Sequence, residues 1–345
     1  MILAIESSCD ESALAIFDPK RGILEEKIHS QISLHSEYGG VVPDLASREH
    51  LYNFPILLKE MNLLDYREDI DSIAVTRGPG LAGCLAMGGM LGKSLSILLD
   101  KPLYGVNHLR GHAWSTFIPI HKNNPEAFEA CMKQLLPHLG LIVSGGNTIL
   151  FEINAEKRIS IIAETVDDAA GEALDKGGKM LGLAYPAGPK IEELAKRGEA
   201  QGIDFPHSMN RKNDLRFSFS GLKTSLRYKL EKLNDSEKKA NLETICASYQ
   251  EAVFAQLRSK TKKWISDKNY KSFGLSGGVA NNKTLVQSLE SMASTFDLPF
   301  LVADPKHNGD NAAMIAFAVF IDRDQAILES ELSPIKIEPS ITLLD

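Results

Sequence analysis

The chain has 345 residues, of which 43% are apolar and 24% charged, and a net charge of −7. These values describe a globular protein with room for two domains and a substantial core, and they exclude a disordered chain. The negative balance argues against non-specific nucleic-acid binding over the whole surface. Four scattered cysteines, Cys9, Cys84, Cys131 and Cys246, form no CxxC pair, which argues against a disulfide scaffold or zinc ribbon and suits a reducing compartment.

Taken in chain order, Met1 to Glu6 shows no basic leader and meets an acid early, so it reads as the start of a cytoplasmic protein rather than a signal peptide. Ile2–Ile5 and Ala13–Phe17 predict two strands around a turn of small and acidic residues, Glu6 to Ser12. Ile70–Thr76 predicts a strand ending in the turn Arg77-Gly78-Pro79-Gly80. Leu81–Leu98 predicts a helix whose glycines, Gly83, Gly88, Gly89 and Gly92, suit close packing; with Lys93 inside it, a buried helix explains it better than a membrane span.

His108 and His112 form an HxxxH pair. If residues 108–112 are helical, the imidazoles share one face, one turn apart. Asp310, which opens a helix-like run to Val319, offers a carboxylate from the far end of the chain. Two nitrogens and one oxygen with positions left open describe a reactive metal site rather than a structural one, although HxxxH alone is more often two ordinary histidines.

Residues 119–138 read as a connector. The opening design then recurs: the strand Gly140–Val143, the turn Ser144-Gly145-Gly146-Asn147-Thr148, the strand Ile149–Ile153. Ala169–Leu181 and Ile191–Lys196 predict helices separated by the loop Gly182–Pro189. Glu243–Ile265 predicts a long amphipathic helix, and the strand Ser272–Leu275 leads through Gly277-Gly278 into a helix from Lys283 to Met292. Phe205 to Lys271 holds 15 Lys and Arg against 7 Asp and Glu, leaving −15 on the remainder. That asymmetry fits a phosphate-backbone footprint, and it equally fits the solvated outer faces of two helices.

Both hairpin turns expose backbone N–H groups and hydroxyls, which suits the cradling of phosphate. Two such hairpins at the starts of two halves resemble the duplicated folds of actin-like proteins and sugar kinases. The expected class is therefore α/β, a two-lobed actin-like ATPase (ASKHA) fold built from duplicated RNase H-like domains. Residues 1–118 are the expected N-terminal lobe, with 320–345 as its candidate completion; 119–138 are the expected connector, and 139–319 the expected C-terminal lobe with the nucleotide contacts.

Longer motifs then become specific. They include Ile5-Glu6-Ser7-Ser8-Cys9-Asp10-Glu11-Ser12, Tyr38-Gly39-Gly40-Val41-Val42-Pro43 and Asp167-Asp168-Ala169-Ala170-Gly171-Glu172-Ala173. Phe217-Ser218-Phe219-Ser220-Gly221-Leu222-Lys223-Thr224 and Asp310-Asn311-Ala312-Ala313-Met314-Ile315-Ala316 join them. Over almost its whole length the chain resembles the TsaD family, the tRNA N6-adenosine threonylcarbamoyltransferases once labelled O-sialoglycoprotein endopeptidases. The resemblance implies a metal-dependent acyltransferase. It would move threonylcarbamoyl from threonylcarbamoyl-AMP to the N6 amine of the adenosine 3′ of the anticodon, in tRNAs reading codons that start with A, and release AMP. It implies one divalent ion, Fe2+ or Zn2+, held by His108, His112 and Asp310. Ile142, Val143, Ser144, Gly145 and Gly146 match the loop at the adenylate's phosphate and carbonyl end; Asp175, Gly188, Glu192 and Asn282 match positions near its ribose and base. No general base is assigned; Asp10 and Glu11 are weighed against a merely structural role. The implied partners are tRNA, a TsaB-like protein on helix faces near Tyr52 to Leu63, and a TsaE-like ATPase, with a homodimer on the same surface as the alternative and no membrane. The basic segment around Arg211, Lys212, Arg216, Lys223 and Arg227, in the C-terminal lobe, is the candidate tRNA contact.

Three departures stand out. The family's HxEGH is His108-Leu109-Arg110-Gly111-His112 here, its Ser-Gly-Gly-His turn ends in Asn147, and its Gly-Gly-Pro is Ala187-Gly188-Pro189. The competing readings are a small-molecule kinase on the same fold, which needs no HxxxH site, and a nucleotide-binding, non-catalytic scaffold. A zincin protease needs Glu beside the first histidine, where this chain has Leu109.

Overall fold

The computed structural model describes residues 1–206, 216–329 and 335–345. The chain divides into two units, Met1–Gln134 with Val302–Asp345, and Leu135–Leu301.

The first unit is built on six strands, β1 Ile2–Glu6, β2 Glu11–Asp18, β3 Gly22–Ser30, β4 Ser72–Gly78, β5 Leu103–Asn107 and β11 Ile327–Leu328. They form one sheet of order β11-β5-β4-β1-β2-β3. β1 pairs antiparallel with β2 and parallel with β4. Alternation along the strands sorts the side chains by size. Leu3, Ile5, Leu14, Ile16, Ile73 and Val75 form one core with Phe54, Leu57 and Leu95, which come from the helices Pro43–Glu60 and Ala82–Leu99. Ala4 pairs with Ala15 and Ala74, and these small residues point to the opposite face. That face receives the helix Ala312–Ile321, buried along nearly its whole length, with Phe17 edge-on to Phe317 at 5.7 Å. Ala82–Leu99 is the single described helix long and apolar enough to cross a membrane. Its buried side includes Gly88 and Gly92, where a Cβ would press on Ser7 and Val75, so the glycines bring it onto the sheet.

The second unit carries five strands, β6 His138–Val143, β7 Thr148–Ile153, β8 Ile159–Glu164, β9 Ser272–Ser276 and β10 Phe300–Val302. Their order in the sheet is β10-β9-β6-β7-β8. β6 pairs antiparallel with β7 and parallel with β9, repeating the relation of β1 to β2 and β4. The repetition reaches the turns. In the first unit Gly80, at φ +158°, lies so close to Ser8 that a Cβ would strike the Ser8 carbonyl; in the second, Gly277, at φ +90°, lies as close to the Val143 carbonyl. Each unit thus packs a glycine turn after its fourth strand against the hairpin turn after its first.

The second unit ends earlier than the expected 139–319. Residues 302–319 belong to the first unit, because the helix that follows Asp310 is apolar all round and is buried on the first sheet. The expected connector 119–138 is two helices, Ile118–Asn123 and Phe128–Leu135, followed by the start of β6.

Candidate functional site

The first group of site residues rests on two helices. Asn107 ends β5 and caps the helix His108–Ser115, its Oδ1 accepting from the Leu109 amide at 2.9 Å. Asn311 caps Ala312–Ile321 in the same way, accepting from Met314 N at 2.8 Å, and its Nδ2 donates to Gly309 O. Asp310 therefore precedes the helix it was expected to open. Gly111 sets how closely the helices pack: a Cβ there would stand 3.0 Å from Met314 Cγ and 3.1 Å from Ile315 Cδ1.

His108 and His112 lie side by side on the short helix, ring centroids 4.7 Å apart. Asp310 Oδ1 stands 3.4 Å from His108 Nε2 and 3.1 Å from His112 Nε2, and the three residues form a group able to hold a metal ion. The spacings fit such an ion. Ligand distances of about 2.0–2.1 Å in a tetrahedron place neighbouring donors about 3.3 Å apart.

A fourth residue, absent from the sequence-based set, completes the corner. Glu6 follows Ala4 on the face turned toward Ala312–Ile321 and is fully buried. Its Oε2 lies 3.0 Å from His108 Nδ1 and accepts from Thr76 Oγ1, and its Oε1 accepts from the Ser8 amide. A carboxylate on Nδ1 turns Nε2 toward the ion position and makes it a stronger donor. Electrostatics agree. Burial alone would push the Glu6 carboxyl up and the His108 imidazole down, but each stabilises the other's charge. Glu6 is held below its usual value and His108 well above. Burial likewise opposes ionisation of Asp310, yet the two imidazoles hold its carboxyl far below the usual range. His112 is pushed down, chiefly by burial. Glu11 goes the other way: burial, then the charges of Asp10 and Asp310, push it well above a normal carboxyl. The one signal of Glu6 in the sequence is an acid ending an otherwise apolar strand, since a buried carboxylate requires partners.

In the second unit, Ile142 and Val143 are buried at the end of β6. The turn after them is closed by Ser144 N donating to Asn147 O at 2.8 Å and Asn147 N donating to Ser144 Oγ at 3.0 Å. Gly145 and Gly146 are exposed, and a Cβ on either would meet nothing within 4 Å. Asp175, on the helix Ala170–Met180, accepts from the amides of Ala187 and Gly188 at 2.7 and 3.1 Å. It thereby caps Ala187–Ala195, a helix that begins four residues before the expected Ile191 and takes in Gly188. Glu192 on this helix accepts from Lys283 N at 2.9 Å. Asn282 caps Lys283–Ser294 through Leu285 N and donates to Gln250 Oε1. Of the nine residues expected around the adenylate, Ile142 to Gly146 therefore lie on the end of β6 and its turn, Gly188 and Glu192 on the helix whose first amides Asp175 holds, and Asn282 at the cap of the helix whose Lys283 amide meets Glu192.

The departures resolve into ordinary packing. Arg110 does not face the ion position; its guanidinium turns onto Asp322. Ala187 is buried with its methyl against Gly178 rather than directed at a ligand. Asn147 closes its turn through its backbone. Of the basic residues expected at tRNA, Arg216 is exposed, and Lys223 and Arg227 lie on the helix Ser220–Leu230 beside Asp168 and Glu231; Arg211 and Lys212 lie outside the described residues.

A duplicated α/β chain with these sheet orders has the actin-like (ASKHA) fold. Full-length HypF in its phosphate- and nucleotide-bound form superposes with a TM-score of 0.60 at 12% identity, covering 94% of this chain and 46% of that one. The activator of 2-hydroxyisocaproyl-CoA dehydratase from Clostridium difficile gives 0.52 at 14%, covering 95% and 99%. Within this class the chain belongs to the TsaD family, whose model, tRNA N6-adenosine threonylcarbamoyltransferase, matches residues 22–317. Relatives of that name from Thermosipho africanus and Anaeromyxobacter sp. are 41% and 42% identical, each covering 92% of this chain and 93% and 92% of their own length. It is a transferase of tRNA modification.

Proposed function

We propose that the chain transfers threonylcarbamoyl from threonylcarbamoyl-AMP to the N6 amine of the adenosine 3′ of the anticodon, in tRNAs that read codons starting with A. The new C–N bond forms as the bond from the carbonyl to the phosphate oxygen breaks; AMP leaves, and the amine gives up a proton. The observation that carries this reading is the convergence of His108, His112 and Asp310, backed by Glu6, in a family of this name. An aryl amine is a weak nucleophile, so the carbonyl must be made more electrophilic and the leaving phosphate stabilised. A divalent ion, Fe2+ or Zn2+, supplies Lewis-acid charge for that purpose when bound. His108, His112 and Asp310 hold it, and Glu6 fixes the His108 ring.

In the second unit, Ile142 and Val143 anchor the turn whose Gly145 and Gly146 amides and Ser144 hydroxyl receive the adenylate's phosphate, because no side chain blocks those glycines. Asp175, Gly188, Glu192 and Asn282 serve the ribose and base; Asp175 and Asn282 act partly by holding helix starts in place. Arg216, Lys223 and Arg227 contribute to the tRNA contact, with Arg211 and Lys212. Helix Pro43–Glu60 exposes Leu51, Tyr52 and Ile56, and helix Ala82–Leu99 exposes Met90, Ile97 and Leu98. These apolar faces suit a TsaB-like partner, with a homodimer as the alternative occupant, and a TsaE-like ATPase completes the set in the cytoplasm.

The test is transfer of labelled threonylcarbamoyl from its adenylate to unmodified tRNA, with and without the partner proteins. His112→Ala is expected to lower the rate by at least about a hundredfold while the protein stays folded. No transfer by a folded, metal-loaded wild type with partners present would refute the reading and leave a non-catalytic member of the family.

A further inference from the structure

Arg110 is a buried cation one residue from the middle of the ligand helix, in a position where the family pattern has a glutamate. Its Nε donates to Asp322 Oδ2 at 2.9 Å, its Nη2 donates to the same oxygen, and its Nη1 reaches Leu343 O at 3.4 Å. Trp114, one turn further along, donates to Asp322 Oδ2 from Nε1 at 3.2 Å. Asp322 is the C-terminal cap residue of Ala312–Ile321. A carboxylate at that end of a helix is disfavoured by the exposed carbonyl dipoles, so a partner is needed to hold it there.

The two acids bracket the longer helix. Asp310 stands before its first turn and meets His108 and His112; Asp322 stands after its last and meets Arg110 and Trp114. Successive helical residues are about 100° apart, so Arg110 and Trp114 project from the side of the short helix opposite the ligand pair. Gly111, between His108 and Trp114, lies against Met314 and Ile315 of the longer helix, where a Cβ would crowd both side chains. The short helix therefore grips the longer one at both ends and in the middle, and the Asp322 grip limits sliding or rotation of Asp310 against the histidines.

We propose that Arg110 and Asp322 are a positioning pair for the metal-ligand group, and that the charges of the pair are exchangeable: glutamate at 110 is compatible with the site when residue 322 is a cation. The proposal rests on the metal reading of His108, His112 and Asp310. Either charge alone, left buried without its partner, would push the helices apart, whereas the exchanged pair restores the contact.

The test compares wild type, R110E, D322R and R110E/D322R for Co2+ affinity, read from the visible absorption of the bound ion, and for Tm in the presence of chelator. Each single variant is expected to lose about tenfold or more in Co2+ affinity and to melt lower. The double variant is expected to regain wild-type affinity to within about threefold, together with most of the lost Tm. If the single variants do not fold, the double decides alone. A folded double with near-wild-type affinity upholds the proposal, and an unfolded one overturns it. Single variants that bind Co2+ like wild type, or a double as weak as the two losses combined, overturn it as well. A wild type that binds no Co2+ refutes the metal reading and the positioning role with it; in every other case the wild-type affinity keeps the two failures apart.

Discussion

His138, the first residue of β6, is wholly buried, with Nδ1 2.7 Å from Ser272 Oγ, and burial pushes its imidazole down to about 3. The unfolded chain takes up this proton near pH 6.5, whereas the folded chain does not until far lower. The stabilising contribution is therefore present above the unfolded value and declines as pH falls from 6.5 toward 3, by about 1.4 kcal/mol per unit. His138→Asn should make the loss in urea-derived stability between pH 7 and 5.5 smaller by about 1 kcal/mol; equal losses in both proteins would exclude a buried neutral His138 as the cause. Glu6 shows the complementary limit of sequence reading. Residue type and strand alternation mark it as a carboxylate on one face of β1, but its partner lies about a hundred residues away in a helix whose rotation only the folded sheet fixes. The HxxxH pair was legible because both histidines sit on one helix and their spacing is the helical repeat.

The elements themselves were legible where periodicity ran long. The hairpin strands, the helix Leu242–Asp267 and the strand-turn-helix around Gly277 lie within a few residues of expectation. Boundaries set by side-chain caps were not. Ala187–Ala195 begins early because Asp175, on another helix, accepts its first amides, and Ala312–Ile321 begins after Asp310 because Asn311 is the better cap. The paired glycine turns make a sharper test. Gly277 has a left-handed backbone and no room for a Cβ beside Val143, whereas its neighbour Gly278 meets nothing within 4 Å. Gly277→Ala should destabilise the protein by about 1–3 kcal/mol in urea unfolding, and Gly278→Ala by less than about 0.5. Equal effects would remove the close approach of the two turns as the reason for glycine there. Their adjacent identical letters gave the sequence no means of telling them apart.

Across the whole molecule, charge and connectivity were legible to different degrees. The basic excess of residues 205–271 is a property of composition, and its consequence is measurable. Charge reversal of Lys223 and Arg227 together should weaken tRNA binding and lower the slope of log affinity against log salt by about 1 for each phosphate no longer neutralised; unchanged affinity and slope would assign these residues to the solvated surface. Connectivity was harder to read, because an apolar helix late in the chain does not announce which sheet it covers. Ala312–Ile321 covers the first. The order in which the ribosome makes the chain follows from this. The second unit is a continuous segment and has all its residues in hand once Leu301 has emerged. The first, although begun earlier, must wait with the alanine face of its sheet uncovered until the helix after Asp310 arrives. It gains its final fastening only when Asn107 and Arg110 can reach the carbonyls of Thr342, Leu343 and Asp345. During synthesis the half that starts first is thus completed after the second, and the His-His-Asp corner can form only once the second unit has already been made.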